Sequence, residues 1–199
     1  MTQQLILASS SPYRKELLEK ITDNFICISP NIDETRKKNE SASDLVQRLA
    51  TEKAMAVADD YPDALIIGSD QVCEFIHPTT QEPLIIGKPK NHAKAFNHLK
   101  EVSGQSVTLK TGLSLYDAKK DSLQSCVELF HVTFRELSDD LIEKYLIADQ
   151  PYSCAGSVKA ESLGIILIEK MSGDDPNALI GLPLIQLTTM LNNQGFSII

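Results

Sequence analysis

The sequence predicts an α/β protein built on one extended mixed sheet flanked by helices. Apolar runs of strand length alternate along the chain with segments of helical periodicity, which is the pattern of layered α/β folds. At 199 residues the chain can bury roughly 70% of the surface its unfolded form would expose, enough for one sizeable core or two lobes. No repeat, low-complexity tract or Ser/Gly linker interrupts it, so a single domain over residues 1–199 is expected, with no boundary visible in the sequence.

The elements follow in order. "QLILAS" (4–9) is a buried strand, and Ser11 then Pro12 supply the N-cap and first position of a helix with Leu17, Leu18 and Ile21 on its apolar face. "FICISPNIDE" is a second strand running into a polar loop. "SASDLVQRLATEKAMAVADDY" is an amphipathic helix in which Leu45, Leu49 and Ala56 recur at helical spacing. "DALIIGSDQVCEF" is a strongly apolar third strand. "NHAKAFNHLKEVSG" is a helix closed by a glycine. "SVTLKTGLSLYD" and "SCVELFHVTFREL" are strands, Ser138 to Ala148 a helix, and "GIILIEKMSGD" a strand; a last helix is opened by Pro183.

The totals exclude several classes. With 42% hydrophobic and 23% charged residues the composition is that of an ordinary globular protein. A net charge of -8 disfavours a nucleic-acid polymer or an anionic membrane as partner, although a few gathered cations could still hold a small anion. No apolar run reaches the about 18 residues of a membrane span, and "MTQQLILASS" lacks the basic start of a signal peptide, so a cytoplasmic location is expected. Cys27, Cys73, Cys126 and Cys154 lie far apart without zinc-site spacing and are expected to be buried free thiols.

One helix start is electrostatically odd. Unpaired N–H groups make that end positive, and Ser43-Asp44 and Ser138-Asp139-Asp140 place acids there, whereas Pro12-Tyr13-Arg14-Lys15 places cations. Either both cations reach into solvent, or an anion sits at the turn. Other chemistry-bearing residues are weaker alone. Asp70, after Gly68-Ser69, ends an apolar strand where ligands of open sheets gather, but it would serve equally as a turn cap. Asp33 and Glu34 are paired acids in a loop. Lys53 lies in the amphipathic helix, Lys88 precedes a proline, and Ser157, Lys159 and Glu161 share a small-residue loop.

Together these residues meet the needs of phosphate chemistry: cations for a polyphosphate, carboxylates for a divalent metal, and a carboxylate to take a proton from water. No GxxxxGK[ST] loop, GxGxxG turn, nucleophile elbow or HExxH helix competes with that reading.

"LILASSSPYRKELLEKI", "IDET", "RLATEKA", "LIIGSDQV", "GKP", "TGLSLY", "CAGSVKAES" and "LIGLPLIQL", in that order, resemble the Maf family of nucleotide pyrophosphatases from residue 5 to about residue 191. The resemblance implies a two-lobed fold similar to that of inosine triphosphate pyrophosphatases, with the nucleotide in a central cleft. It also implies metal-dependent hydrolysis of a nucleoside triphosphate to monophosphate and pyrophosphate, with Mg or Mn as the cofactor, and a homodimer.

Carried over position by position, the resemblance assigns Ser10, Arg14, Lys53 and Lys88 to the phosphates and Asp70 to the general base. It assigns Glu34, with Asp70, to the metal, and leaves Ser157 and Lys159 as further cleft residues. Tyr13, Gln71 and Glu161 stand where the family varies with the base accepted. An aromatic, a glutamine and an acid there resemble the branch acting on 7-methyl-GTP rather than the one acting on dTTP and UTP. N7-methylation makes guanine cationic, which favours an aromatic face and a carboxylate. The same machinery on dTTP, UTP or another non-standard nucleotide, or a non-catalytic nucleotide-binding regulator of cell division, are the alternatives. Two stretches depart from the family: "KAESLG" carries Ser162-Leu163 where the family's loop passes straight to glycine, and residues 74–85 are longer than usual, expected as a surface loop.

Overall fold

The computed structural model describes residues 3–198 and shows an α/β chain with a seven-stranded mixed sheet flanked by helices. The strands are β1 (Leu5–Ala8), β2 (Phe25–Ile28), β3 (Leu65–Ile76), β4 (Pro83–Ile86), β5 (Ser106–Asp117), β6 (Ser122–Phe134) and β7 (Ile168–Gly173). The helices are α1 (Pro12–Glu19), α2 (Ala42–Met55), α3 (His92–Val102), α4 (Asp139–Asp149), α5 (Pro176–Ile180) and α6 (Leu184–Asn193). The strand order is β2-β1-β3-β5-β6-β7, with β4 paired to β3.

The chain divides into two compact units, Met1–Gln71, Thr111–Glu128 and Asp175–Ile199 in the first, Val72–Lys110 and Leu129–Asp174 in the second. In the first unit β1 runs parallel to both β2 and β3 and is buried along its whole length, which is why "LILA" is continuously apolar. Alternate side chains feed the two sheet faces. Leu5, Leu7, Leu65 and Ile67 pack with Leu17 and Leu18 of α1 and Leu187 and Leu191 of α6, while Ile6, Ala8 and Ile66 pack with Ala54 and Val57. In the second unit β3 and β4 form an antiparallel hairpin, β6 and β7 pair antiparallel, and Leu99, Ile142 and Tyr145 are buried.

Two glycines set how closely α2 lies on the sheet. A Cβ on Gly68 of β3 would collide with the carbonyl oxygen of Ala50 and come within 2.8 Å of the Ala54 nitrogen, and one on Gly112 of β5 would collide with the carbonyl of Val46. The helix backbone therefore rests directly on two strands, one turn from Lys53. Only residues without a side chain permit that approach.

Several sequence expectations need correction. "GIILI" does not enter the strand: Leu163–Leu167 is a 3-10 turn, and β7 begins at Ile168. The apolar run gave no period to tell a tight helical turn from a strand. β6 begins and ends three residues earlier than expected, and α2 stops at Met55, leaving Ala56 exposed as its C-cap while Val57 enters the core. The residue capping the end of α3 is Ser103 rather than Gly104; its hydroxyl accepts from the Leu137 amide. α5, a short helix opened by Pro176, is additional to the elements that the sequence predicts. The 74–85 stretch is a hairpin in which only 77–82 lie outside the two strands, and Ile76 and residues 78–84 are exposed. Cys73 is buried and Cys126 and Cys154 partly so, but Cys27 is exposed. No helix among the described residues is long and apolar enough to cross a membrane.

Candidate active site

The first unit gathers four of the charged residues singled out in the sequence. Lys53, almost fully buried on α2, directs its ammonium at two carboxylates at once: Nζ lies 2.6 Å from Asp70 Oδ1 on β3 and 2.6 Å from Glu34 Oε1 in the loop before α2. Asp70 is buried as well, so this pair is shielded from water and stronger than a surface ion pair, and removing Lys53 would strand a buried carboxylate. Arg14 lies close enough to feel the charges of both Asp70 and Glu34, which favour its charged form; burial is the larger effect and draws its guanidinium below the ordinary arginine value.

The cations at the start of α1 have parted company. Ser11 caps the helix, accepting from the Arg14 amide, and Pro12 opens it as the sequence indicated. Lys15 is a solvated neighbour paired with Glu19 at 3.5 Å. Arg14 does not reach into solvent: its Nε donates to the carbonyl of Gly181 at 2.8 Å, and its two terminal nitrogens make no hydrogen bond among the described residues. A guanidinium fixed by one nitrogen with its fork unspent, beside a helix N-terminus, is a preorganised anion clamp. Ser10 is exposed at the same turn and Tyr13 half-buried within it.

The segment facing Arg14 is itself held by polar side chains from the sheet. Ser69 Oγ donates to Gly181 O at 2.8 Å, Thr111 Oγ1 donates to Ala178 O at 2.9 Å, and Gln71 Nε2 donates to Ala178 O at 2.7 Å and Leu179 O at 3.1 Å. Buried Asp175 caps α5 through the Asn177 amide and takes the Ile185 amide on its other oxygen. Sequence reading missed Ser69, Thr111 and Asp175. Polar residues inside apolar strands and an acid just before a proline were the available signals.

The Glu34 loop is fastened to α2 by Arg48. Its Nε and Nη2 engage both oxygens of Glu40 at 2.6 and 2.9 Å, Nη1 reaches Glu52 at 2.8 Å, and Nη2 also meets Thr35 O at 3.2 Å. The bond to Arg48 holds the Glu40 carboxyl down to about 2, against an ordinary 4.5. A depressed carboxylate stabilises the folded state fully above its unfolded pKa and loses that contribution as pH falls through the folded one. The stability gap between the wild-type chain and Glu40→Gln is therefore constant above about pH 4.5 and closes between pH 4.5 and 2, read from denaturant unfolding at stepped pH.

The remaining candidates belong to the second unit. Lys88 is exposed between β4 and α3, and Glu161 is exposed in the loop 159–164. Ser157 is fully buried, its hydroxyl 3.0 Å from His98 Nδ1. The Lys159 ammonium is spent on Asp149 at the end of α4.

Among the described residues no three His, Cys, Asp or Glu side chains gather as a metal site. The donor pair Glu34 and Asp70 nevertheless fits a hard divalent cation: two carboxylate oxygens converge on one point of positive charge, now held by Lys53.

Comparison with known proteins places the chain in a family. The family described as Maf-like protein matches residues 4–194. A protein of Colwellia psychrerythraea named 7-methyl-GTP pyrophosphatase is 52% identical over 195 residues, covering 98% of this chain and 94% of its own length. Proteins of the same name from Vibrio parahaemolyticus, at 46% identity over 98% of each chain, and Aliivibrio fischeri, at 48% over the whole of both, are similar to it as well.

Proposed function

The chain belongs to the Maf family, and from that membership we propose that it hydrolyses 7-methyl-GTP to 7-methyl-GMP and pyrophosphate, removing a modified nucleotide. The observation that carries the reading is the shared name of relatives 46% to 52% identical over nearly the full chain. The geometry of the first unit supports the same chemistry.

Glu34 and Asp70 would hold the metal, magnesium or manganese, through their carboxylate oxygens. When bound, such an ion neutralises charge building on the phosphate. The chain's own residues supply the rest. Arg14 and the first turn of α1, with Ser10, bind the β- and γ-phosphates; Lys88 of the second unit is given the same role by the family resemblance alone. Lys53 leaves the two carboxylates for the phosphate chain, because a triphosphate offers it more negative charge than either acid. Asp70 then takes a proton on Oδ2, which has no hydrogen-bond partner among the described residues, from the water attacking the α-phosphorus. Pyrophosphate departs with its charge held by Arg14 and Lys53.

Tyr13 and Glu161 favour the cationic methylated guanine over a neutral base. Gln71 has committed its amide N–H groups to Thr111 and the α5 carbonyls, so it contributes to base selection as an acceptor through Oε1. Ser157 and Lys159, cleft residues by the resemblance, have their hydroxyl and ammonium engaged within the second unit by His98 and Asp149. A cytoplasmic location and a homodimer belong to the same proposal, resting on the sequence and the family resemblance respectively.

Product analysis tests the reaction. With 7-methyl-GTP and either metal, 7-methyl-GMP and pyrophosphate appear in equal amounts, and a chelator abolishes both. Inorganic phosphate with 7-methyl-GDP would overturn the cleavage position, and binding without turnover would instead favour a nucleotide-binding regulator.

A further inference from the structure

The loop 159–164 of the second unit is fastened to the end of α4, chiefly through Asp149. An acid is misplaced there by the backbone alone, since the last turn of a helix is electronegative and α4 carries no basic residue in that turn. What compensates it comes from the loop. Lys159 Nζ donates to Asp149 O at 2.6 Å and lies 3.7 Å from Oδ1. Ser162 Oγ sits 2.8 and 2.6 Å from the two carboxylate oxygens.

Two further contacts stiffen the attachment. The Lys159 amide donates to the hydroxyl of Tyr145, a buried residue one turn earlier on α4, at 3.0 Å. The loop also closes on itself, the amides of Ser162 and Gly164 both donating to Lys159 O at 3.1 Å. The Asp149 and Lys159 side chains are only 11% and 19% exposed, so these charge-assisted bonds act in partial shelter from water. Exposed Glu161 lies between the two anchored residues, with Lys159 two positions before it and Ser162 immediately after.

Resting on the reading of Glu161 as a base-selecting carboxylate, we propose that Asp149 is a positioning residue for base selection, acting through Ser162 and Lys159 to fix the backbone that carries Glu161. The tether removes freedom from the backbone between Lys159 and Ser162, so Glu161 is held before the nucleotide arrives.

The test compares kcat and KM for 7-methyl-GTP and GTP in the full chain and four variants, with Tm measured beside them. Glu161→Ala lowers the preference for 7-methyl-GTP by about tenfold. Ser162→Ala and Asp149→Ala lower it by about fivefold, the loss of one hydrogen bond, through KM for 7-methyl-GTP with kcat within about twofold. Ser162→Thr, which keeps the donor, retains the wild-type preference. Wild-type preference in Ser162→Ala and Asp149→Ala, while Glu161→Ala loses it, overturns the proposal alone, as does an equal fall for both nucleotides that only follows Tm. Unchanged preference in Glu161→Ala overturns both the reading of Glu161 and the proposal built on it.

Discussion

Replacing Asp70 with asparagine lowers turnover of 7-methyl-GTP by about a hundredfold to ten-thousandfold, the range a positioned general base contributes, while the nucleotide still binds. The substitution keeps the size of the side chain and an oxygen that can accept from Lys53, whose ammonium also retains Glu34 at 2.6 Å. The fold therefore survives, and folding can be separated from chemistry by circular dichroism and thermal unfolding. Binding should persist because Arg14, held on Gly181 O, and the start of α1 do not depend on a charge at position 70. Single-turnover kinetics with calorimetric titration of the nucleotide read the two effects independently. Unchanged turnover would remove Asp70 as the base; lost binding would make its role that of a metal or phosphate scaffold.

Gly68→Ala is the second large effect, and it acts through packing. The added methyl would be driven into the backbone of α2 at Ala50 and Ala54, where no flexible side chain can give way. Overpacking of this kind costs about 1–3 kcal/mol, which lowers Tm by roughly 3–10 °C in a chain of this size. Retreat of α2 also carries Lys53 away from Asp70, two residues along β3 from the substituted position. Since a displacement of about 1 Å can cost on the order of a hundredfold in rate, activity falls beyond what the loss of folded protein explains. Unaltered Tm and activity would show that α2 is not seated on Gly68.

These two residues also mark how far the sequence could be read. The strand "LIIGSDQV" and the acid in it were legible because a buried parallel strand is a continuous apolar run, and polar residues interrupt such a run only for a reason. That α2 rests on Gly68 and Gly112 was not legible, since a glycine in a strand signals close approach without naming what approaches. Arg14 stood out through its conflict with the helix dipole, and that conflict separated it from the acid-bearing helix starts. The dipole conflict alone could not separate it from Lys15, and only the family resemblance did, because which of two adjacent cations turns inward depends on the Gly181 carbonyl, 167 residues away.

Spacing likewise gave no sign that one ammonium would meet two carboxylates. Glu34, Lys53 and Asp70 sit on a loop, a helix and a strand, and only the tertiary fold brings them to a common point. The cradle of Ser69, Gln71 and Thr111 around α5 was hidden for the same reason. Their partners are backbone carbonyls, which carry no side-chain signature. The anchor of the loop 159–164 at Asp149 was not visible either, because an acid in a last helical turn looks unfavourable until Lys159 and Ser162 are placed beside it.

The central claim is that this chain selects a cationic methylated guanine nucleotide for hydrolysis to monophosphate and pyrophosphate. Its most direct test is kcat/KM for 7-methyl-GTP, dTTP, UTP and ITP measured side by side with magnesium and with manganese. The account predicts that 7-methyl-GTP is the best substrate with either metal; a clear preference for dTTP or UTP would contradict it.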